Sequence, residues 1–187
     1  MPAAEDTRSA VLEAAIRLIA RGGLQAVSHR AVEAEAGVSH GTTTYYFGSR
    51  QKIVDAVLEH LAAHDMALAA GTSPAPAPPD AGHAAGRLAA LLSGDRDYAL
   101  ARYELMLEAA RRPGLLPSLQ RWRLSFTASA EEMLRQAGAA SPALAAHWLI
   151  ATLDGLILDS LCTGTTDFRQ HAPTILPAMI TTAMTIR

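Results

Sequence analysis

Cysteine is almost absent from the chain. Cys162 stands alone among 187 residues, which excludes a disulfide framework and a cysteine-built zinc site. Aromatic residues make up only 5%, while alanine, the best helix former, is abundant, a balance that favours close-packed helices over sheets. Charge of one sign is lacking too. The formal net charge is −2, so no global positive field draws the chain to an acidic polymer. Residues 1–52 hold six basic and five acidic side chains, a net of +1. Any binding to such a polymer must come from a placed patch.

Targeting and spanning segments are missing as well. The opening MPAAEDTRSA lacks the basic-then-apolar order of a secretory signal, and with one cysteine the expected setting is the reduced cytoplasm. Leu144 to Leu161 is long and apolar, but His147, Asp154 and Asp159 interrupt it, and aspartate is costly in lipid. A helix that buries two faces in a soluble protein is the better reading, with no membrane partner. Catalytic order is absent: there is no serine–histidine–acid series, glycine-rich phosphate loop or metal cluster. The expectation is no enzyme, no catalytic residue, no cofactor and no metal. His60 and His64, four apart with Asp65 beside them, lack any flanking constellation and read as solvated histidines.

What is present is helical periodicity. Val11, Leu12, Ala15, Ile16 and Ile19 recur at helical spacing and Gly22-Gly23 ends that run. Ser28 is placed to cap a second helix to Ala36, which Gly37 ends, and Ser39 to cap a short third. A fourth runs from Ser49 to Ala63. GTSPAPAPPD, from Gly71, holds four prolines in ten residues and reads as a loop. Further helices are predicted over His83–Leu92, Tyr98–Arg111, Pro117–Gln136, Pro142–Cys162 (capped by Ser141) and Phe168–Ile186, where Pro177 marks a kink or a later start near Thr174. The fold class is all-α, with about nine helices in total. Residues 1–48 form an N-terminal three-helix domain, and 49–187 a C-terminal helical domain.

One stretch breaks the helical pattern. Thr42, Thr43, Thr44, Tyr45, Tyr46 and Phe47 are β-branched or aromatic, residues typical of strands, yet they lie between good helices. Two short helices about a glycine turn have the spacing of a helix-turn-helix. The second helix of such a unit is held by its neighbours and enters the DNA major groove. There threonine offers a hydroxyl and a methyl to base edges, and tyrosine hydroxyls reach phosphates.

The residues Arg30-Ala31-Val32, Ala34 to Ser39, Gly41-Thr42, Tyr46-Phe47 and Ser49-Arg50 make this segment resemble the tetracycline-repressor (TetR) family of bacterial transcriptional regulators. From Ser28 to about Leu61 the likeness is in sequence; in the C-terminal two-thirds it is architectural. The resemblance implies that Arg30 reads a base edge and His29 lies near phosphate. It implies that Ser39, His40, Gly41, Thr42 and Thr44 face the groove and that Tyr45 and Tyr46 contact backbone or base. Arg50 and Lys52 would grip phosphate, while Phe47 and Val38 belong to the core. Thr43, Thr44 and Glu33 depart from the family pattern, as does His40 where lysine is common.

The remaining apolar stripes suggest partners. Leu149, Leu153 and Leu156 in one helix and Ile175, Met179, Ile180 and Ala183 in the last form two stripes that one monomer core is not expected to use fully, so a four-helix homodimer interface is expected, with a purely intramolecular bundle as the alternative. Met106, Trp122, Phe126 and Trp148, with Arg102, Tyr103 and Asp154 as polar contacts, are candidate lining for a small-molecule pocket. The expectation is a homodimeric, ligand-responsive repressor on a palindromic double-stranded DNA operator. The rival is a small-molecule-binding helical protein with little or no DNA binding.

Overall fold

Helix boundaries are set mainly by glycines and capping side chains. The computed structural model describes residues 4–70, 95–164 and 168–187. It contains α1 (Ala4–Gly22), α2 (His29–Ala36), α3 (Thr42–Phe47), α4 (Arg50–Ala70), α5 (Arg96–Arg111), α6 (Leu116–Gln136), α7 (Pro142–Thr163) and α8 (Phe168–Thr185). Short 3-10 turns at Leu24–Ala26 and Pro113–Leu115 precede α2 and α6. The all-α expectation holds, and no strand occurs among the described residues. The predicted helix over His83–Leu92 and the proline-rich stretch from Gly71 lie outside them.

The caps follow the sequence in part. The Ser28 hydroxyl accepts the Ala31 N–H at 3.1 Å, and Gly37 closes α2 at φ 66°, a left-handed conformation that glycine adopts without strain. The Ser49 hydroxyl accepts the Lys52 N–H at 3.3 Å. Asp95 caps α5 by accepting the Asp97 N–H at 2.9 Å, so this helix begins earlier than its apolar stripe suggested. Two expectations are corrected. Ser39 does not cap α3, which begins after Gly41 at φ 90°, and Ser141 makes no capping bond despite its position before α7. Pro142 occupies the first turn of α7, where a missing N–H costs little. The last helix runs through both Pro173 and Pro177.

Two compact units are present, one built from residues 4–63 and 95–122, the other from 64–70, 123–164 and 168–187. In the first, Leu12, Ile16 and Ile19 of α1 share a core with Val32 of α2, Phe47 of α3, Ile53 and Val57 of α4, and Leu105 of α5. Polar contacts reinforce it. Arg17 and Arg21 of α1 hold the Glu35 carboxylate of α2 at 2.9 and 2.5 Å. His60 Nε2 of α4 lies 3.0 Å from Glu13 of α1 and 3.2 Å from the Tyr98 hydroxyl of α5, and that hydroxyl also donates to Glu13.

The second unit is centred on Leu134 of α6, Ala145, Leu149 and Leu153 of α7, and Leu176, Ile180 and Ala183 of α8. Of the described helices, Pro142–Thr163 is long and apolar enough to cross a membrane, with mean hydropathy 1.3. Asp154 on it is paired with Arg123 of α6 at 2.6 Å, an arrangement that suits a protein interior rather than lipid.

Ile16 is completely buried at the meeting of these head helices. Ile16→Ala should therefore destabilise the protein by about 2–5 kcal/mol. A urea titration followed by circular dichroism checks this, and a loss under about 0.5 kcal/mol would place Ile16 outside the core.

Candidate nucleic-acid interface

A six-residue helix of threonines and aromatics cannot hold its shape through propensity; it must be fixed by tertiary contacts. Thr43 and Phe47, four apart and thus on one face, supply the inward anchor. Thr43 is fully buried, and Phe47 joins the core of the first unit. The opposite side points out. Tyr45 is 83% exposed and Thr44 is exposed. Tyr46 is half-buried against the core and meets Tyr45 edge-on, with centroids 5.2 Å apart.

The start of α3 is organised by a buried carboxylate. Glu33 of α2 is only 5% exposed. Its Oε1 accepts the Gly41 N–H at 3.0 Å, the Thr43 N–H at 3.0 Å and the Thr43 hydroxyl at 2.7 Å. A helix's first N–H groups lack intrahelical partners, and here a side chain from the preceding helix supplies one. The Thr43 hydroxyl bond is the chief reason that the Glu33 carboxyl titrates below its ordinary value; the Thr43 and Gly41 amides and nearby His40 add to the effect, and burial opposes it. Glu35 is likewise held low, first by Arg17 and then by Arg21. Thr43 bonds a second group: its Oγ1 lies 2.8 Å from His29 Nδ1. The departures of Glu33 and Thr43 from the family pattern are therefore one feature, a polar pair bridging the turn.

The other expected residues fall into place around this bridge. Arg30, Ser39, His40 and Lys52 are exposed, while His29, Gly41 and Thr42 are half-buried. Ser39 contributes its backbone: its carbonyl accepts the Thr42 hydroxyl at 2.6 Å. Arg50 differs from expectation. Its Nε donates to the Val27 carbonyl at 2.7 Å and its Nη2 to the Leu24 carbonyl at 2.5 Å, so the guanidinium binds the turn before α2 instead of standing ready for a phosphate. Arg8 was missed by sequence reading. Its guanidinium lies 5.6 Å from the Phe47 ring centroid, and with Thr44, Tyr45 and Lys52 it lines a groove of about 440 Å³. The signal available was a lone arginine following Glu5 and Asp6 in the opening turns of α1.

The expected pocket residues divide between the two units. In the first, the Arg102 guanidinium lies 5.9 Å from the Trp122 ring centroid, Tyr103 and Trp122 are buried and Met106 is half-buried. In the second, Phe126 is half-buried, Trp148 packs on the core and Asp154 pairs with Arg123. Leu149, Leu153, Met179, Ile180 and Ala183 lie inside the chain's own core, and Leu156 and Ile175 pack partly buried against it. The apolar stripes of α7 and α8 face each other and the end of α6 within one chain. Large apolar side chains left exposed on α7 are Leu144 and Leu158.

A short helix seated by its inner face and presented outward across a glycine turn, with α1 braced behind it, is a helix-turn-helix. The model of bacterial regulatory proteins of the tetR family matches residues 11–57, and that of the tetracyclin repressor-like C-terminal domain matches residues 79–182. The chain belongs to the TetR family of transcriptional regulators. A helix-turn-helix transcriptional repressor of Mycobacterium tuberculosis is 40% identical over 57 residues, 30% of each protein; the match thus spans about a third of that curated relative. A TetR-family member from Streptomyces coelicolor is 31% identical, with 92% of this chain and 97% of that one covered at a TM-score of 0.73. The multidrug-binding protein EbrR, complexed with ethidium, is 31% identical over 92% of this chain and 98% of its own, with a TM-score of 0.67.

The Glu33 bridge has a pH signature. Because its folded-state pKa lies below the ordinary 4.5, the stability it contributes is present above that value and is lost as pH falls through the depressed one. Glu33→Gln should lower the melting temperature at pH 7, and the gap from wild type should narrow as pH falls below about 4.5. A gap constant from pH 7 to pH 3 would show that the charge is not involved.

Proposed function

We propose that this chain is a homodimeric repressor that binds a palindromic DNA operator and is released by a small apolar or amphipathic effector. Residues 1–48 serve as the DNA-binding domain and 49–187 as the effector-binding and dimerisation domain. The observation that carries the reading is the division of α3 into a buried face, Thr43 and Phe47, and an outward face, Thr44 and Tyr45, flanked by exposed His40 and Arg30. A recognition helix needs that division, since it must be anchored to the protein while its other side chains enter the major groove.

Base reading falls to Arg30, His40, Thr42 and Thr44, and Tyr45, Tyr46, Lys52 and His29 approach the backbone. Few cations take part, so affinity is modest and depends on salt. Dimer formation is supported by family membership and by exposed Leu144 and Leu158 on α7; two-fold symmetry then matches operator symmetry. An amphipathic effector is supported by the likeness to EbrR, which is complexed with ethidium. The near-neutral head favours one rival, a ligand-binding protein without operator affinity.

A mobility-shift assay on the DNA upstream of its own gene should give a sequence-specific shift at low salt. Arg30→Ala should cost about 1–3 kcal/mol and relax preference at one base position, whereas Lys52→Ala should weaken all sequences alike and reduce the salt slope by about 1. Ligand-induced thermal stabilisation without a DNA shift at any salt concentration would establish the rival.

A further inference from the structure

The bridge at the helix-turn-helix fixes where hydrogens sit. Glu33 is held as a carboxylate, which accepts hydrogen bonds and donates none. The single hydroxyl hydrogen of buried Thr43 is therefore directed to Glu33 Oε1, 2.7 Å away. What Thr43 Oγ1 has left is a lone pair, and it faces His29 Nδ1 at 2.8 Å. That contact is a hydrogen bond only if Nδ1 carries the hydrogen. A neutral histidine holds one ring hydrogen, so Nε2 then has none. A neutral ring cannot donate from both nitrogens; only the cation presents N–H at both.

We infer that Glu33, acting through the Thr43 hydroxyl, is a positioning residue for His29: it holds the neutral ring as the Nδ1–H form, so that His29 reaches a DNA phosphate oxygen only by taking up a proton at Nε2. This rests on the operator-binding reading and adds its regulation. Phosphate oxygens accept, so a bare Nε2 is repelled while an Nε2–H donates. Operator affinity consequently falls as pH rises, because the bound form holds a proton that the free form lacks. The charged groups on the surrounding elements are Glu33 and Arg30 on α2 and His40 in the turn before α3. Arg17 and Arg21 of α1 are bonded to Glu35, and Arg50 of α4 to the carbonyls before α2.

Two measurements on the full-length protein test the inference. The first is the ring ¹⁵N spectrum of the free protein labelled at histidine, above about pH 8 where histidine is neutral. Wild type and Glu33→Gln, whose amide oxygen still accepts from Thr43, should show His29 as Nδ1–H. Glu33→Ala releases the Thr43 hydroxyl to donate to Nδ1 and should shift the ring to Nε2–H. Thr43→Val, which removes the hydroxyl altogether, should also lift the Nδ1–H preference, and Thr43→Ser should restore it. An Nε2–H ring in wild type, or the same tautomer in wild type, Glu33→Ala and Thr43→Val, overturns the inference.

The second measurement is operator affinity between about pH 6 and 8.5 at constant salt, in a His40→Gln background that removes the neighbouring titration. Affinity should fall with rising pH, approaching tenfold per unit for one proton taken up. His29→Gln should flatten the curve and Thr43→Val should make it shallower at the alkaline end, a change of slope that mere loss of structure would not produce. An unchanged slope in His29→Gln overturns the inference while leaving operator binding intact. Absence of DNA binding at every pH defeats the operator reading and the phosphate contact together, and the tautomer spectrum separately reports whether the bridge exists.

Discussion

A carboxylate buried between two short helices decides how the head of this protein is built. Unpaired, such a charge would be expensive to bury. Glu33 escapes that cost because the amides of Gly41 and Thr43 and the Thr43 hydroxyl converge on one of its oxygens. The benefit runs both ways. The six residues of α3 are too few and too β-branched to be helical in isolation, and the same bonds fix where the helix begins. The angle between α2 and α3 is thereby set by a chemical contact as well as by packing. Everything offered outward, from Arg30 to Tyr45, inherits its position from that junction.

Behind it, α1 acts as a brace. Its apolar stripe supplies Leu12, Ile16 and Ile19 to the core, and its arginines clamp Glu35 on the neighbouring turn of α2. Exposed ion pairs of this kind add little stability; their effect is to choose one rotational setting of α2 against α1. Arg50 does similar work from α4, gripping the carbonyls that lead into α2. Two elements, α1 and α4, thus converge on α2 and the turn that leads into it, and α3 is carried by α2.

Much of this could be read from the amino acids, and the exceptions share a cause. Helix ends at Gly37 and Ser28 were legible because caps act on their own neighbours in sequence. The outward aspect of the Thr-Tyr run followed from its context between glycine turns. Glu33, by contrast, looks like any charged residue in a helix; its partners lie across the turn, and no one-dimensional period marks them. Arg50 looked available because the carbonyls that it binds are more than twenty residues earlier. The stripes on α7 and α8 mark faces that are to be buried, but hydropathy does not register which chain covers them. Leu149 and Ala183 are covered within one chain.

The polar cluster of Glu13, His60 and Tyr98 joins α1, α4 and α5 at a point beside the apolar core that the same helices share. The reading head is therefore geared to α5. Tyr98 meets α1 through a direct side-chain bond to Glu13 and not through a connecting loop. A joint closed by both kinds of contact resists hinging, because any rotation of one helix breaks a polar bond as well as the packing.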